Sequence, residues 1–321
     1  MTHQPNKGRI LLALTGLAPE FWISELGKSA PDRQVVLEPE GATDPDVHYA
    51  IVWKQRPGLL SNLPNLKAIF SLGAGVDHVF ADPELPDVPI VRVVSSDLTT
   101  RMSEYVVWQV LDHHRFGPRY RAQQADRIWG DDREQRAACD ITVGIMGLGE
   151  LGLDAAAKLR VMGFEVSGWS RTQKHVEGVS CFAGDDGLDP FLASADIFVV
   201  LLPLTPDTRE FLNRDLFSRM TKRGPLGAPV LINAGRGGLQ NEADILSALN
   251  EGLLSAASLD VFQQEPLPED SALWSHPNVF ITPHAAATSV PSSLIKPMVE
   301  QMDAYDRGEP LTNLVDMKAG Y

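Results

Sequence analysis

Cysteine is almost missing from this sequence. Cys139 and Cys181 are the only two thiols in 321 residues. That excludes a disulfide-stapled scaffold and an iron–sulfur cluster held by four thiolates of one chain, and two reduced thiols suit a cytoplasmic location. Positive charge is also scarce. Lys and Arg number 28 against 42 Asp and Glu, a formal net charge of −14. A nucleic-acid binder needs the opposite balance to neutralise phosphates. No apolar run approaches the ~18 residues of a membrane span. The run Ile10-Leu11-Leu12-Ala13-Leu14 behind Lys7 and Arg9 has the outline of a leader. Gly16 and Pro19 cut it short and no A-x-A pattern follows, so it reads as a buried first strand with a turn at Gly16. No H-E-x-x-H, Walker A or G-x-S-x-G pattern occurs, which leaves metalloprotease, P-loop and α/β-hydrolase readings without support. His113 and His114 are adjacent, and neighbours on a helix point in different directions, so no joint metal site is expected there.

What the sequence does contain is ordinary for a globular protein: 44% hydrophobic and 22% charged residues, in a length that suggests two domains. Short β-branched runs bounded by turn residues read as buried parallel strands. They are Ile10–Leu14, Val35–Leu37, Ala50–Trp53, Ala68–Ser71, Ile90–Val94, Thr142–Met146, Glu165–Trp169, Ile197–Leu201, Val230–Asn233, Ala256–Leu259 and Val279–Thr282. Amphipathic helical stretches such as Ser103–His114, Leu151–Met162 and Glu242–Glu251 lie between them. This alternation predicts an α/β protein with doubly wound parallel sheets. So many strands overfill one sheet. Breaks are expected near Thr99–Ser103, where a long helix begins, and near Ser289–Ser293, before the last helix. Pro297 predicts a kink in that helix or a start beyond it.

The strand Thr142–Met146 runs into Gly147-Leu148-Gly149-Glu150-Leu151-Gly152 and then a helical stretch rich in Ala. This is G-x-G-x-x-G in its required setting. Gly147 permits the tight turn, Gly149 lets the backbone approach a pyrophosphate, and Gly152 lets helix and strand pack closely. The helix start offers NH groups and a positive dipole end to the phosphates. An NAD site places Asp or Glu at the end of the next strand, ~20 residues on. Here Ser170-Arg171-Thr172 stands instead, with Lys174 close behind. A hydroxyl followed by a planar guanidinium suits a 2′-phosphate, so the reading favours NADPH over NADH.

Three later strand ends each carry a charged or titratable residue. Arg236 follows Val230–Asn233, Asp260 and Glu265 follow Ala256–Leu259, and His284 follows Val279–Thr282. Singly, these read equally well as a surface arginine, a loop carboxylate and a capping or packed histidine. Together, downstream of a dinucleotide loop, they make a hydride-transfer set. Reducing a 2-keto acid needs a hydride on carbon and a proton on oxygen. A histidinium donates that proton near neutral pH, a carboxylate holds the imidazole, and a guanidinium binds the substrate carboxylate.

With these stretches in view, the sequence resembles the D-isomer-specific 2-hydroxyacid dehydrogenase family. The resemblance runs in order through Gly73-Ala-Gly-Val-Asp77-His78, the Gly147–Gly152 loop, Leu202-Pro-Leu-Thr-Pro-Asp-Thr208, Ile232-Asn-Ala-Gly-Arg-Gly237, Leu259-Asp-Val-Phe262 with Glu265-Pro266, and Thr282-Pro-His284. Val52-Trp53, Trp169-Ser-Arg171, Leu273-Trp-Ser-His-Pro277 and the ending Val315-Asp316…Gly320-Tyr321 are similar to its glyoxylate/hydroxypyruvate reductase subgroup. The resemblance implies two Rossmann-like domains with an active-site cleft between them. A discontinuous substrate-binding domain would comprise 1–101 plus 290–321, and a dinucleotide-binding domain 102–289. It makes Arg236, Glu265 and His284 catalytic, and gives the substrate Trp53, Leu72, Gly73, Ala74 and Gly75 as well. The loop Gly147–Gly152 with Ser170, Arg171, Thr172, Lys174, Leu202, Pro203, Ala234 and Asp260 would bind the cofactor. Glu150 by itself reads as solvated, with an influence on cofactor charge preference as the alternative, and Trp53 reads equally as a buried strand aromatic. The implied activity is NADPH-dependent reduction of small 2-keto acids, glyoxylate and hydroxypyruvate first, by a cytoplasmic homodimer joined through the dinucleotide domain. Bulkier 2-keto acids such as phenylpyruvate, or a dinucleotide-sensing binding protein of the same fold, are the alternatives. His276 is expected in a turn or a dimer contact.

Overall fold

The computed structural model describes residues 7–131, 133, 135–220, 224, 226–317 and 320, so the terminal Tyr321 lies outside the described residues. The chain divides into two compact units, Met1–Asp97 with Ser289–Tyr321, and Leu98–Thr288.

The first unit opens with β1 (Arg9–Leu14), α1 (Pro19–Ser29), β2 (Val35–Val36), β3 (Val47–Trp53), β4 (Ala68–Ser71), α2 (Asp77–Phe80) and β5 (Ile90–Val91). These strands form a parallel sheet in the order β2-β1-β3-β4-β5. The run after Arg9 is β1, and Gly16 beyond it holds φ +77°. The central strands are apolar on both faces, as strands covered by helices on both sides must be. Ile10, Leu11, Tyr49 to Val52 and Ala68 to Phe70 are all fully buried.

The chain leaves this unit within α3 (Ser96–His114), followed by α4 (Gly117–Ala125). The long helix therefore starts ahead of the expected Ser103. Its first two turns are polar and give no apolar periodicity to read, yet Leu98 and Met102 are buried. The second unit continues with β6 (Thr142–Met146), α5 (Glu150–Val161), β7 (Glu165–Ser170), β8 (Ser180–Ala183), α6 (Leu188–Leu192) and β9 (Ile197–Val200). After them come α7 (Arg214–Arg219), β10 (Val230–Asn233), α8 (Glu242–Asn250), β11 (Ala256–Leu259) and β12 (Val279–Ile281). The seven strands are parallel, in the order β12-β11-β10-β9-β6-β7-β8. Alternate residues feed two separate cores. Val143, Ile145, Ile197, Val199, Val230 and Ile232 face one, and Met146, Phe198, Val200, Leu231 and Leu259 face the other. This is the period of two of a strand buried on both faces. β8 was not expected: Ser180-Cys-Phe-Ala has no β-branched residue and sits half-covered at the sheet edge.

The chain ends in α9 (Pro291–Asp306), which rejoins the first unit. It starts before Pro297 and runs through it, so the start expected beyond that proline is corrected. A mid-helix proline costs about 3 kcal/mol; here Leu294, Ile295, Met298, Val299 and Met302 are buried and offset it. α9 packs on α1. The fully buried Arg33 side chain donates to Asp303 at 2.8 Å and Asp306 at 2.7 Å, and Tyr49 donates to Asp306 at 2.8 Å. A buried guanidinium needs such partners.

Candidate active site

Every strand of the second unit runs the same way, so the loops after β12, β11, β10, β9, β6 and β7 leave one edge of the sheet. In that order they carry His284, Asp260 with Glu265, Arg236, Leu202 with Pro203, the glycine loop, and Ser170 with Arg171. The chain order reverses beside β6, whose neighbours are β9 and β7. Ligands of open α/β sheets bind at such a reversal.

The glycine loop has the form its spacing predicts. Gly147 holds φ +106°, and a Cβ there would come within 2.7 Å of the Leu201 carbonyl oxygen. A Cβ on Gly152 would overlap the Gly147 carbonyl. Gly149 differs: its φ is −81° and an added Cβ meets no protein atom within 4 Å. Nothing in the chain itself requires glycine at 149. A backbone that must be approached closely by a pyrophosphate does require it, so the loop fits a dinucleotide. Gly149 caps α5 without a side-chain hydrogen bond, which leaves the first-turn amides for an anion. Leu148 is buried, and Glu150 and Leu151 begin the helix.

At the end of β7 no carboxylate stands. The buried Ser170 hydroxyl donates to the Thr172 carbonyl at 2.9 Å and shapes the turn. Arg171 and Thr172 are exposed beyond it. Lys174 donates to the Leu148 carbonyl at 2.7 Å, which ties this turn to the glycine loop. Across the sheet, the Thr208 hydroxyl donates to the Pro203 carbonyl at 2.7 Å and closes the loop after Leu202. Ala234 is buried beside β9, its amide donating to Val200.

Glu265 and His284 come together. The imidazole Nδ1 lies 3.0 and 2.9 Å from the two carboxylate oxygens, so Nδ1 carries the proton in this pairing and Nε2 is the nitrogen that Glu265 does not engage. His284 holds φ 52°, in the left-handed region. Asp260 keeps it there. The Asp260 carbonyl accepts the His284 amide at 2.8 Å, and the carboxylate accepts the Ala285 and Ala286 amides at 2.8 and 3.1 Å and the Thr282 hydroxyl at 2.6 Å. Arg236 is half-buried in the loop after β10, where it donates to the Gly235 carbonyl at 2.9 Å. A buried amide pair shapes that loop: Asn233 donates to the Gln240 side chain at 2.8 Å and accepts the Gly235 amide at 3.0 Å. Gln240 in turn donates to the Val261 carbonyl at 2.9 Å.

In the first unit, the turn Leu72–Gly75 follows β4. A Cβ on Gly73 would strike the Trp53 ring at 2.6 Å, so tryptophan and glycine fit each other. Trp53 also stacks at a tilt on His78, with centroids 5.0 Å apart.

Other histidines take structural places. His113 faces the Ser258 hydroxyl at 2.8 Å, and burial lowers its pKa to about 4. His114 packs edge-on against Phe164. His276 accepts the Asn278 amide in a turn. Sequence reasoning missed Asn233, Gln240 and Thr282. For Asn233 and Thr282 the only signal is a polar residue at the end of an apolar strand, and Gln240, in the turn before α8, has none.

The comparisons with known proteins agree on one family. The model for the NAD binding domain of the D-isomer specific 2-hydroxyacid dehydrogenases matches residues 107–286. A glyoxylate/hydroxypyruvate reductase A of Yersinia enterocolitica is 38% identical, over 94% of this chain and 96% of its own length. The crystal structure of an NADPH-dependent glyoxylate/hydroxypyruvate reductase of Sinorhizobium meliloti, in complex with NADP and sulfate, superposes with a TM-score of 0.92 at 48% identity, covering 98% of this chain and 100% of that one. A D-isomer specific 2-hydroxyacid dehydrogenase of Xanthobacter autotrophicus in complex with NADPH and MES gives 0.91 at 39% identity, covering 98% and 99%.

Proposed function

The chain belongs to the D-isomer specific 2-hydroxyacid dehydrogenase family, oxidoreductases acting on CH–OH donors with NAD(P), and we propose that within it this chain is an NADPH-dependent reductase of small 2-keto acids. Glyoxylate, giving glycolate, and hydroxypyruvate, giving D-glycerate, are the first substrates to expect. The observation that carries this reading is the two-oxygen contact of Glu265 with His284 at the strand edge that also bears Arg236.

Each residue has a role its chemistry allows. A bound nicotinamide supplies the hydride. His284, held through Nδ1 by Glu265, delivers a proton from Nε2 to the carbonyl oxygen, so that C=O becomes CH–OH. Glu265 fixes the ring through its contact with Nδ1. Arg236 takes the substrate carboxylate in a planar, charge-assisted contact. The Leu72–Gly75 amides and Trp53 belong to the substrate in this reading, the amides as an anion nest. The glycine loop holds the pyrophosphate, and Leu202, Pro203, Ala234 and Asp260 line the nicotinamide side. Ser170, Arg171, Thr172 and Lys174 serve the 2′-phosphate, which supports NADPH over NADH. The NADP and NADPH named for the similar structures support the same choice.

A homodimer through the second unit belongs to this reading. Helix α4 buries none of its residues, and Ile128 and Trp129 beyond it stand exposed. The two free cysteines suit a cytoplasmic setting. A panel of glyoxylate, hydroxypyruvate and phenylpyruvate, each with NADPH and with NADH, tests the function by cofactor absorbance. Faster turnover of the two small acids with NADPH is expected. Preference for phenylpyruvate moves the assignment to bulkier acids, and no turnover of any acid leaves a dinucleotide-sensing protein.

A further inference from the structure

A polar chain, part-buried at Thr282, leads from the long helix α3 to the His284 loop. The Tyr105 hydroxyl lies 2.9 Å from the Thr282 hydroxyl, and Thr282 donates to the Asp260 carboxylate at 2.6 Å. Each hydroxyl has a single proton. Thr282 gives its own to the carboxylate, so Tyr105 is the donor to Thr282. The chain therefore has one direction, from Tyr105 through Thr282 to Asp260. Tyr105 and Asp260 are buried, and burial pushes the tyrosine pKa up, so the hydroxyl stays protonated as a donor.

The place of this chain gives it consequence. β12 is an outer strand of its sheet and pairs with β11 alone. Val279 and Ile281 pack on the core of one face, and the Phe280 side meets α3, where Trp108 lies edge-on to Phe280 at 5.6 Å and Tyr105 meets Trp108 at 5.8 Å. Phe280 and Thr282 are two residues apart, hence on one face. That face is gripped by α3, and the loop that follows carries His284 in its left-handed conformation, fastened through Asp260.

We propose that Tyr105 is a positioning residue for the His284 acid, acting through Thr282 and Asp260. The proposal rests on the reading of His284 as the acid. Tyr105 touches no reacting atom in it. Its hydroxyl fixes the Thr282 rotamer and keeps the Asp260 carboxylate aimed at the Ala285 and Ala286 amides.

Three variants of the full chain test this: Tyr105→Phe, which removes one oxygen, Thr282→Val, which removes the hydroxyl, and Thr282→Ser, which restores it. For each, kcat and KM for the keto acid, NADPH affinity by fluorescence, and hydrogen exchange at Ala285 and Ala286 are measured. Loss of one buried hydrogen bond predicts about a fivefold fall in kcat for Tyr105→Phe and more for Thr282→Val. KM and NADPH affinity should stay within about twofold, exchange at the two amides should rise about fivefold, and Thr282→Ser should return kcat close to the parent. Parental kcat in both Tyr105→Phe and Thr282→Val overturns the proposal. So does NADPH affinity falling in step with kcat, or Thr282→Ser no better than Thr282→Val. If the parent chain turns over no 2-keto acid, the functional reading fails instead. Exchange at Ala285 and Ala286 then still decides the positioning: faster in Tyr105→Phe upholds it, unchanged overturns it.

Discussion

Both carboxylate oxygens of Glu265 lie within 3.0 Å of Nδ1 of His284. One proton cannot favour a single oxygen in that arrangement, so the carboxylate acts on the ring as a whole. Through that contact Glu265 fixes the orientation of the ring, and with it that of Nε2, which in the proposed function delivers the proton. His284→Gln should lower kcat by about 10²- to 10⁴-fold, the worth of a general acid, with NADPH binding unchanged. Glu265→Gln should cost less, because the ring remains. Steady-state NADPH oxidation and fluorescence titration check both, and lost NADPH binding in His284→Gln would contradict the assigned role.

Arg171 is the guanidinium beyond β7, where a carboxylate would mark NAD. Arg171→Ala should raise KM for NADPH about tenfold or more, the scale of a charge-assisted contact. KM for NADH should change little. An equal rise for both cofactors would remove Arg171 from the 2′-phosphate.

Two glycines of one loop should separate folding from binding. A Cβ on Gly152 overlaps the Gly147 carbonyl, whereas one on Gly149 meets open space. Gly152→Ala is therefore expected to lower the melting temperature. Gly149→Ala should melt with the parent yet bind NADPH weakly, because in the proposed function its methyl would stand in the path of the pyrophosphate. Thermal unfolding and fluorescence titration on both variants check this.

His113 should make the protein acid-sensitive. Its pKa falls from 6.5 to about 4 in the folded chain, chiefly because burial disfavours the charged ring. Between those values the unfolded chain binds the proton and the folded chain does not. Stability is thus complete above about pH 6.5 and drains away as pH falls toward 4, by up to roughly 3 kcal/mol. His113→Gln should lose part of that acid slope in urea unfolding measured from pH 7 to pH 4. An unchanged slope would place the sensitivity elsewhere.

Much of the fold was legible because parallel strands buried on both faces are long apolar words between turn residues. β4, β6, β10 and β11 match their expected bounds residue for residue. What stayed hidden depends on partners far along the chain. β8 is a strand only because β7 offers it an edge. α9 passes Pro297 because its apolar face is buried, with α1 packed against it. At the site, the residue types of Glu265 and His284 were readable, since their chemistry is distinctive. Asn233, Gln240 and Thr282 were not, because an amide or hydroxyl acquires meaning only from what it bonds.

The first unit is assembled from both ends of the chain, with Arg33 and Tyr49 bonded to the helix that ends at Asp306. A ribosome makes those two pieces far apart in time. The second unit has all its strands before Thr288 and meets its own partners while translation continues. The first unit lacks the partners of Arg33 and Tyr49 until α9 has been made. A chain that stopped between Thr288 and α9 would hold every described strand of the second unit, while the first unit would lack the carboxylates that Arg33 and Tyr49 bond.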